Sequence, residues 1–140
     1  MKRSYNTEIM GSIDDGRRAS GALGEKIACE FLLRKGFTLI ERNFRRPWGE
    51  IDVIAEKNGV VRFVEVKTLS RDVLPDVSRE SNNYRPEEQV HEWKLRKIAR
   101  TAEAYMSANK DVREYQIDVV GVFLDRKNRI ARCRLFEQVL

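Results

Sequence analysis

One histidine, two cysteines and three prolines in 140 residues leave few ways to build a metal-thiolate or disulfide framework. A structural zinc site takes four clustered Cys or His ligands, and a catalytic one takes three plus a water. Cys29, Cys133 and His91 supply neither that number nor a CxxC or HxxxH spacing, so structural zinc is not expected. Cys29 falls in an apolar helical pattern and Cys133 in a strand-like one, and both read as reduced thiols. Long apolar runs are absent too. Stretches such as Val119 to Leu124 fall far short of the roughly 20 residues that cross a bilayer. Met1 to Ser20 is too polar for a secretory signal, so a cytoplasmic location with no membrane partner is expected. The phosphate-loop pattern GxxxxGK[ST], the dinucleotide pattern GxGxxG and the nucleophile elbow GxSxG are all missing. With them go the usual signatures of nucleotide hydrolysis, dinucleotide binding and α/β-hydrolase catalysis.

Charge is abundant: 27 Lys and Arg stand against 22 Asp and Glu, for a net +5. That balance favours a polyanionic partner. Its distribution is uneven. Lys94, Arg96, Lys97 and Arg100 form one run without an acid, Arg126 to Arg134 form another, and Arg45 and Arg46 precede Pro47 and Trp48. Each run alone reads as a solvated face; three in one small chain point toward nucleic acid. With 41% apolar residues the chain is of globular type and long enough for one core.

Met1 to Arg18 lacks a sustained apolar period and is expected to be a flexible arm, leaving 19–140 as a single domain. Leu23, Ile27, Ala28, Phe31 and Leu32 recur at spacings of three and four, predicting a helix over Ala19 to Lys35 that stops at Gly36. Phe37 to Asn43, Gly49 to Glu56 and Val60 to Thr68 read as strands, with Lys57-Asn58-Gly59 a hairpin signal between the last two. Leu69 to Pro86 breaks the pattern and is expected to be a long loop. A second helix spans Glu87 to Ala108, carrying Val90, Leu95, Ile98, Ala102, Tyr105 and Met106 on one face. Tyr115 to Leu124 and Ile130 to Leu135 complete the strands. The order is α-β-β-β-α-β-β, an α/β fold with a central mixed sheet of five strands flanked by helices.

Within that frame Gly49-Glu50-Ile51-Asp52 opens one strand and Glu65-Val66-Lys67 closes the next. Side chains alternate along a strand, so Glu65 and Lys67 share a face, as do Glu50 and Asp52. If the turn pairs Glu56 with Val60, Asp52 falls opposite Val64, one position from Glu65. Ionised groups in so apolar a sheet are costly unless paired, hydrated or metal-bound. Two carboxylates and a backbone carbonyl suit Mg²⁺ or Mn²⁺, and a nearby lysine can orient water or stabilise charge on phosphorus. Metal-dependent phosphodiester hydrolysis is one reading of these residues. A solvated salt-bridge face is the other.

GALGEKIACEFLLRKGF (Gly21 to Phe37), the RNF segment with its following arginine (Arg42 to Arg45), GEIDVIA (Gly49 to Ala55), FVEVKT (Phe63 to Thr68) and IDVVGV (Ile117 to Val122) together resemble the YraN-type family of small bacterial proteins. That family is similar to archaeal Holliday-junction resolvases of the PD-(D/E)xK, restriction-endonuclease-like superfamily. The resemblance implies a restriction-endonuclease-like sheet, with Asp52, Glu65 and Lys67 catalytic. It implies Glu25, Asp52, Glu65 and the Val66 carbonyl as ligands to Mg²⁺ or Mn²⁺, with Glu50 a further ligand, a group behind the ligands, or a strand-edge salt bridge. Lys94 matches a basic position on the second helix, as a phosphate contact or a support for the site. Asp118 matches a family acid and reads as structural. Leu69 stands where the family often has Arg, and the polar stretch after it is longer than the family's linker.

The implied partner is DNA, branched or single-stranded, held by Arg45, Arg46, Lys94, Lys97 and Arg100, with RNA the competing polymer. Relatives of this kind are commonly homodimers, since symmetric cutting needs two sites. The alternative function is a non-catalytic DNA-binding or adaptor module serving a recombination or helicase protein. Burial is the plainer expectation for Trp48 and Trp93, stacking on unpaired bases the other. His91 reads as helix surface, and Tyr84 and Arg85 as loop residues that could close over nucleic acid.

Overall fold

The computed structural model describes residues 3–12, 20–71 and 92–140. They form a mixed sheet flanked by helices, with strands β1 (Arg3–Ser12), β2 (Thr38–Arg46), β3 (Gly49–Lys57), β4 (Val60–Arg71), β5 (Tyr115–Asp125) and β6 (Ile130–Glu137). Helices α1 (Ser20–Arg34) and α2 (Glu92–Ala108) complete the described elements. Across the sheet the order is β1-β6-β5-β4-β3-β2. Only β4 and β5 run parallel, and the chain between them includes α2.

The helices lie on opposite faces. Val61 and Phe63 of β4 pack with Leu95, Ile98, Ala102 and Met106 of α2, whereas Val64, next along the strand, packs with Leu23, Ile27, Phe31 and Leu32 of α1. Period-two alternation thus feeds two cores from one strand. β5 is buried on both faces from Ile117 to Asp125, as befits a central strand with a near-continuous apolar run. α1 ends where Gly36 takes φ 90°; the Gly36 N–H then donates to Leu33 O and the Phe37 N–H to Leu32 O, satisfying the last carbonyls. Between β3 and β4, Asn58 (φ 56°) and Gly59 (φ 78°) form a tight two-residue turn with both residues left-handed.

The expected elements are present in the expected order, with two differences. Arg3–Ser12, placed by its sequence in a flexible arm, is a strand antiparallel to β6, so the sheet has six strands and not five. Its pairing with the edge of β6 uses backbone N–H and C=O groups, which need no apolar period in the added strand. β4 also runs three residues past Thr68, because Leu69, Ser70 and Arg71 continue the parallel ladder opposite Phe123, Leu124 and Asp125. The rest of the expected loop, with Tyr84 and Arg85, lies outside the described residues, as does the start expected for the second helix, with His91. Cys29 and Cys133 are both buried, and no disulfide joins them. Among the described residues no helix is long and apolar enough to cross a membrane.

Candidate functional site

The two-residue turn sets the register of the candidate site. Lys57 pairs with Val60 and Val53 with Val64, so continuing one step puts Asp52 across from Glu65. The pairing of Asp52 with Val64 expected from the sequence is one residue off, because the turn holds two residues and not three. Beyond Val53 the backbone ladder between β3 and β4 gives way to a side chain: the Val66 N–H donates to Asp52 Oδ2 at 2.8 Å. The pleat breaks at the same place. Ile51 packs in the α2 core and Val53 in the α1 core, although two residues apart on a regular strand share a face. Across from Asp52, Asn43 of β2 takes φ 52°, between the regular pairs Arg42↔Val53 and Phe44↔Ile51. Both strands kink together, and the carboxyl of Asp52 turns to meet that of Glu65.

Each of the two carboxyl groups bears on the ionisation of the other. Glu65 is buried, with a side chain only 7% exposed. Burial first, then the charge of Asp52, push its carboxyl up to about 7, against the pull of Lys94. Asp52 is raised as well, by burial first, although the Val66 N–H, Glu65 and Lys94 all oppose it. Lys94 of α2 closes the group, its Nζ 2.7 Å from Glu65 Oε2. Partial burial works against its ammonium, but the Glu65 contact and the surrounding acids outweigh it and hold Lys94 above its ordinary value. Lys67 follows two residues after Glu65 on the same strand, half-buried. Among the described residues it has no ion-pair partner.

Glu25 reaches this group only through space. It is partly buried on α1, and burial, then Asp52, raise its carboxyl. Among the described residues no three His, Cys, Asp or Glu side chains lie close enough to hold one ion, so Asp52 and Glu65 come together without Glu25. α1 approaches β4 closely because residue 24 is glycine: a Cβ there would collide with the Thr68 side chain. A glycine inside a helix costs about 1 kcal/mol against alanine, and that is the signal by which this contact could have been read. Glu50 is exposed and lies 3.6 Å from Arg45 Nε, in the cross-strand pair Arg45↔Glu50; it is the strand-edge salt bridge among the alternatives above.

Asp118 lies elsewhere, fully buried. It accepts from Gln116 Nε2 (2.8 Å), the Gln138 N–H (2.9 Å) and Arg62 Nη1 (3.2 Å), and the same Arg62 nitrogen reaches Glu137 Oε1 at 2.6 Å. This network ties the C-terminal residues to β4 and β5.

The cations expected to hold nucleic acid divide. Lys94 is engaged by Glu65 and acts within the site. Arg46 stacks over Phe44, 4.1 Å from the ring centroid, and Lys97 lies 5.2 Å from the Trp93 ring. Arg45, Arg46, Lys97 and Arg100 are all exposed. Trp48 and Trp93 are exposed too, at 46% and 60%, contrary to the burial expected of them. Trp48 sits in the β2–β3 turn, and Trp93 in the first turn of α2, away from the face that carries Leu95 and Ile98. Beside Trp48 a cleft of about 260 Å³ opens between this turn and α2, a feature that no sequence pattern announces.

A family model described as "Uncharacterised protein family UPF0102" matches residues 24–122. A UPF0102 protein of Campylobacter jejuni subsp. doylei is 38% identical over 102 residues, covering 73% of this chain and 81% of its own length. One from Caldicellulosiruptor bescii is 35% identical over 117 residues, 84% of this chain and 92% of that protein. One from Campylobacter hominis is 32% identical over 102 residues, covering 73% of this chain and 81% of its own. The matched span runs from Gly24 through α1, the kinked β3 and the Glu65-Val66-Lys67 segment to Val122 of β5, and the chain belongs to the UPF0102 family.

Proposed function

We propose that the chain is a metal-dependent endonuclease that hydrolyses DNA phosphodiester bonds, with branched or single-stranded recombination and repair intermediates as its substrates. The observation that carries this reading is the Asp52–Glu65 pair: a half-buried and a buried carboxyl group drawn together, the second held up at about 7. A divalent cation relieves what makes this pair costly, since its charge offsets the repulsion of the two carboxylates and the loss of solvent. The donor set fits Mg²⁺ or Mn²⁺: hard oxygens, few in number, leaving positions for water and substrate phosphate. Asp52 and Glu65 would hold the ion, with the Val66 carbonyl as a third donor and Glu25 approaching from α1. Bound there, the ion supplies a Lewis acid and lowers the pKa of a coordinated water.

The chain's own residues supply the rest. Lys67 lies along the strand from Glu65 and orients the attacking water or neutralises charge on the phosphoryl oxygens. The Val66 N–H fixes one oxygen of Asp52, so that carboxylate is oriented before substrate arrives. Lys94 keeps Glu65 from holding its proton more tightly still, which lets the pair ionise near neutral pH. Arg45, Arg46, Lys97 and Arg100 hold the phosphate backbone, so binding falls as salt rises.

The test is cleavage of labelled single-stranded, duplex, flap and four-way-junction DNA with Mg²⁺ or Mn²⁺, comparing wild type with Asp52→Ala and Lys67→Ala. Cleavage abolished by EDTA and by both substitutions is the expected result. A second reading, a DNA-binding or adaptor module for a recombination or helicase partner, draws on the Lys94 contact, which satisfies Glu65 without a metal. It predicts silent wild type, and junction affinity equal in wild type and Asp52→Ala.

A further inference from the structure

We propose that the cleft between the β2–β3 turn and the C-terminal half of α2 holds an unpaired base of single-stranded DNA. This inference rests on the reading of the chain as acting on DNA and names the form of DNA it engages. Phe44 and Tyr105 form the inner wall, meeting edge to face with centroids 5.1 Å apart. Trp48 stands at the open side, nearly half exposed. Space exists because α2 presents Ala104 and Ala108 there, with no larger side chain to fill it. A volume of about 260 Å³ is close to the lower end of ligand cavities, about 300 Å³, and suits one small flat group.

The polar groups narrow the occupant. Arg46 lies over Phe44 at the rim, and among the described residues none that lines the cleft is acidic. Asn109 donates its amide N–H to Tyr105 O at 2.8 Å, which leaves its amide oxygen to accept from a base edge. Outside the cleft the exposed cations Lys97 and Arg100 continue along α2 toward Trp93, which lies eleven residues, about 16 Å, from Ala104. Aromatic faces interleaved with cations along a line are what an unpaired strand recognises: bases stack, and phosphates meet the charges. A base inside a duplex has no free face to offer. An apolar peptide side chain would fill the space but would leave the cations at its rim without a counterpart. Trp48 precedes Asp52 by four strand residues, about 13 Å, so a strand anchored here runs on to the carboxylate pair.

The chain has two tryptophans, so Trp93→Phe leaves Trp48 as the single fluorescent reporter. Titrating that full-length variant with oligothymidylate in EDTA should quench Trp48 to saturation. Trp48→Ala, and separately Ala104→Leu, which fills the cleft from α2, should each weaken binding by roughly 5- to 150-fold, the worth of one stacked base. Trp48→Phe should retain most of the affinity, and circular dichroism shows whether each variant is folded. Unchanged fluorescence, oligothymidylate affinity indifferent to both cleft substitutions, equal quenching by blunt duplex, or preference for oligouridylate would each overturn the proposal. Because these readings are taken without metal, they separate from the nuclease reading. Cleavage of single strands indifferent to Trp48→Ala removes the cleft proposal alone, and quenching without cleavage under any metal removes the nuclease alone.

Discussion

Replacing Glu65 with glutamine should make the metal-free protein more stable above neutral pH while abolishing the metal binding proposed for it. The Glu65 carboxyl stands at about 7 in the folded chain against its ordinary 4.5. Below 4.5 the group is protonated whether the chain is folded or not, and its full contribution to stability is present. As pH rises, the unfolded chain releases the proton first and the folded chain keeps it, so stability falls until the folded group ionises near 7. A gap of about 2.5 pH units is worth on the order of 3 kcal/mol. Glutamine holds the neutral shape and removes this slope. It also strips Lys94 of its anion, so the net gain at pH 8 should be smaller, about 1–2 kcal/mol. Urea denaturation followed by circular dichroism, from pH 4 to 8.5 in EDTA, measures both curves. Asp118, raised in the same direction, remains in both proteins and cancels, whereas Asp52 feels the charge at residue 65, so the difference reads the Asp52–Glu65 pair. Saturating Mg²⁺ should then stabilise wild type and leave Glu65→Gln unmoved. Parallel pH curves in EDTA, or a variant less stable than wild type at every pH, would refute the argument that this carboxyl is costly to ionise.

Asp118→Ala should cost about 3–5 kcal/mol, because it leaves the Arg62 guanidinium buried with fewer acceptors; thermal melting reads the loss, and DNA affinity below the melting range should stay at the wild-type level. Gly24→Ala should destabilise despite the better helix propensity of alanine, since its Cβ meets Thr68; pairing it with Thr68→Ala in a double-mutant cycle should recover part of the loss, and strict additivity would show that the helix does not rest there. Lys94→Met removes a cation that lowers Glu65, so Mg²⁺ affinity by calorimetry should drop near pH 7 and return at higher pH, whereas loss uniform in pH would mean that Lys94 supports the fold and not the ionisation of the pair. Phe63→Ala removes a ring that meets Tyr105 and Tyr115 edge to face in the α2 core, and should cost about 3–5 kcal/mol by denaturant melting.

What could be read from the sequence was whatever local chemistry decides. Asn58-Gly59 dictates a tight turn, Gly36 ends α1, and β-branched runs mark β4 and β5, because each signal acts over a few residues. β1 was hidden for the opposite reason. Its place depends on the free edge of β6 and on backbone groups that every residue carries, so nothing in Arg3–Ser12 itself announces a strand. The two tryptophans were misjudged on the general tendency of large aromatics to be buried. One sits at a turn tip and the other on the outer side of a helix, positions fixed by tertiary packing alone.

The candidate site shows where the boundary between the two kinds of information falls. Spacing placed Asp52 and Glu65 on neighbouring strands and brought them close in register, but regular alternation cannot deliver the contact that forms. Val53 must face α1 and Ile51 must face α2, and an ideal strand cannot satisfy both. The conflict is resolved at the residue between them, with Asn43 opposite adopting a left-handed backbone that asparagine tolerates better than most residues. Asp52 is therefore held by packing on both faces of the sheet and by the Val66 N–H, against the repulsion of a second carboxylate. A core that needed only stability would place an apolar residue there. Local rules broken in favour of a costly polar contact are expected at functional or strained sites, and they support the reading proposed for this pair. On this account Asn43→Gly, which keeps the left-handed backbone, should preserve metal affinity. Asn43→Val, which resists it, should lower metal affinity without touching a ligand, and calorimetric titration of the two variants with Mn²⁺ decides whether the kink holds the pair.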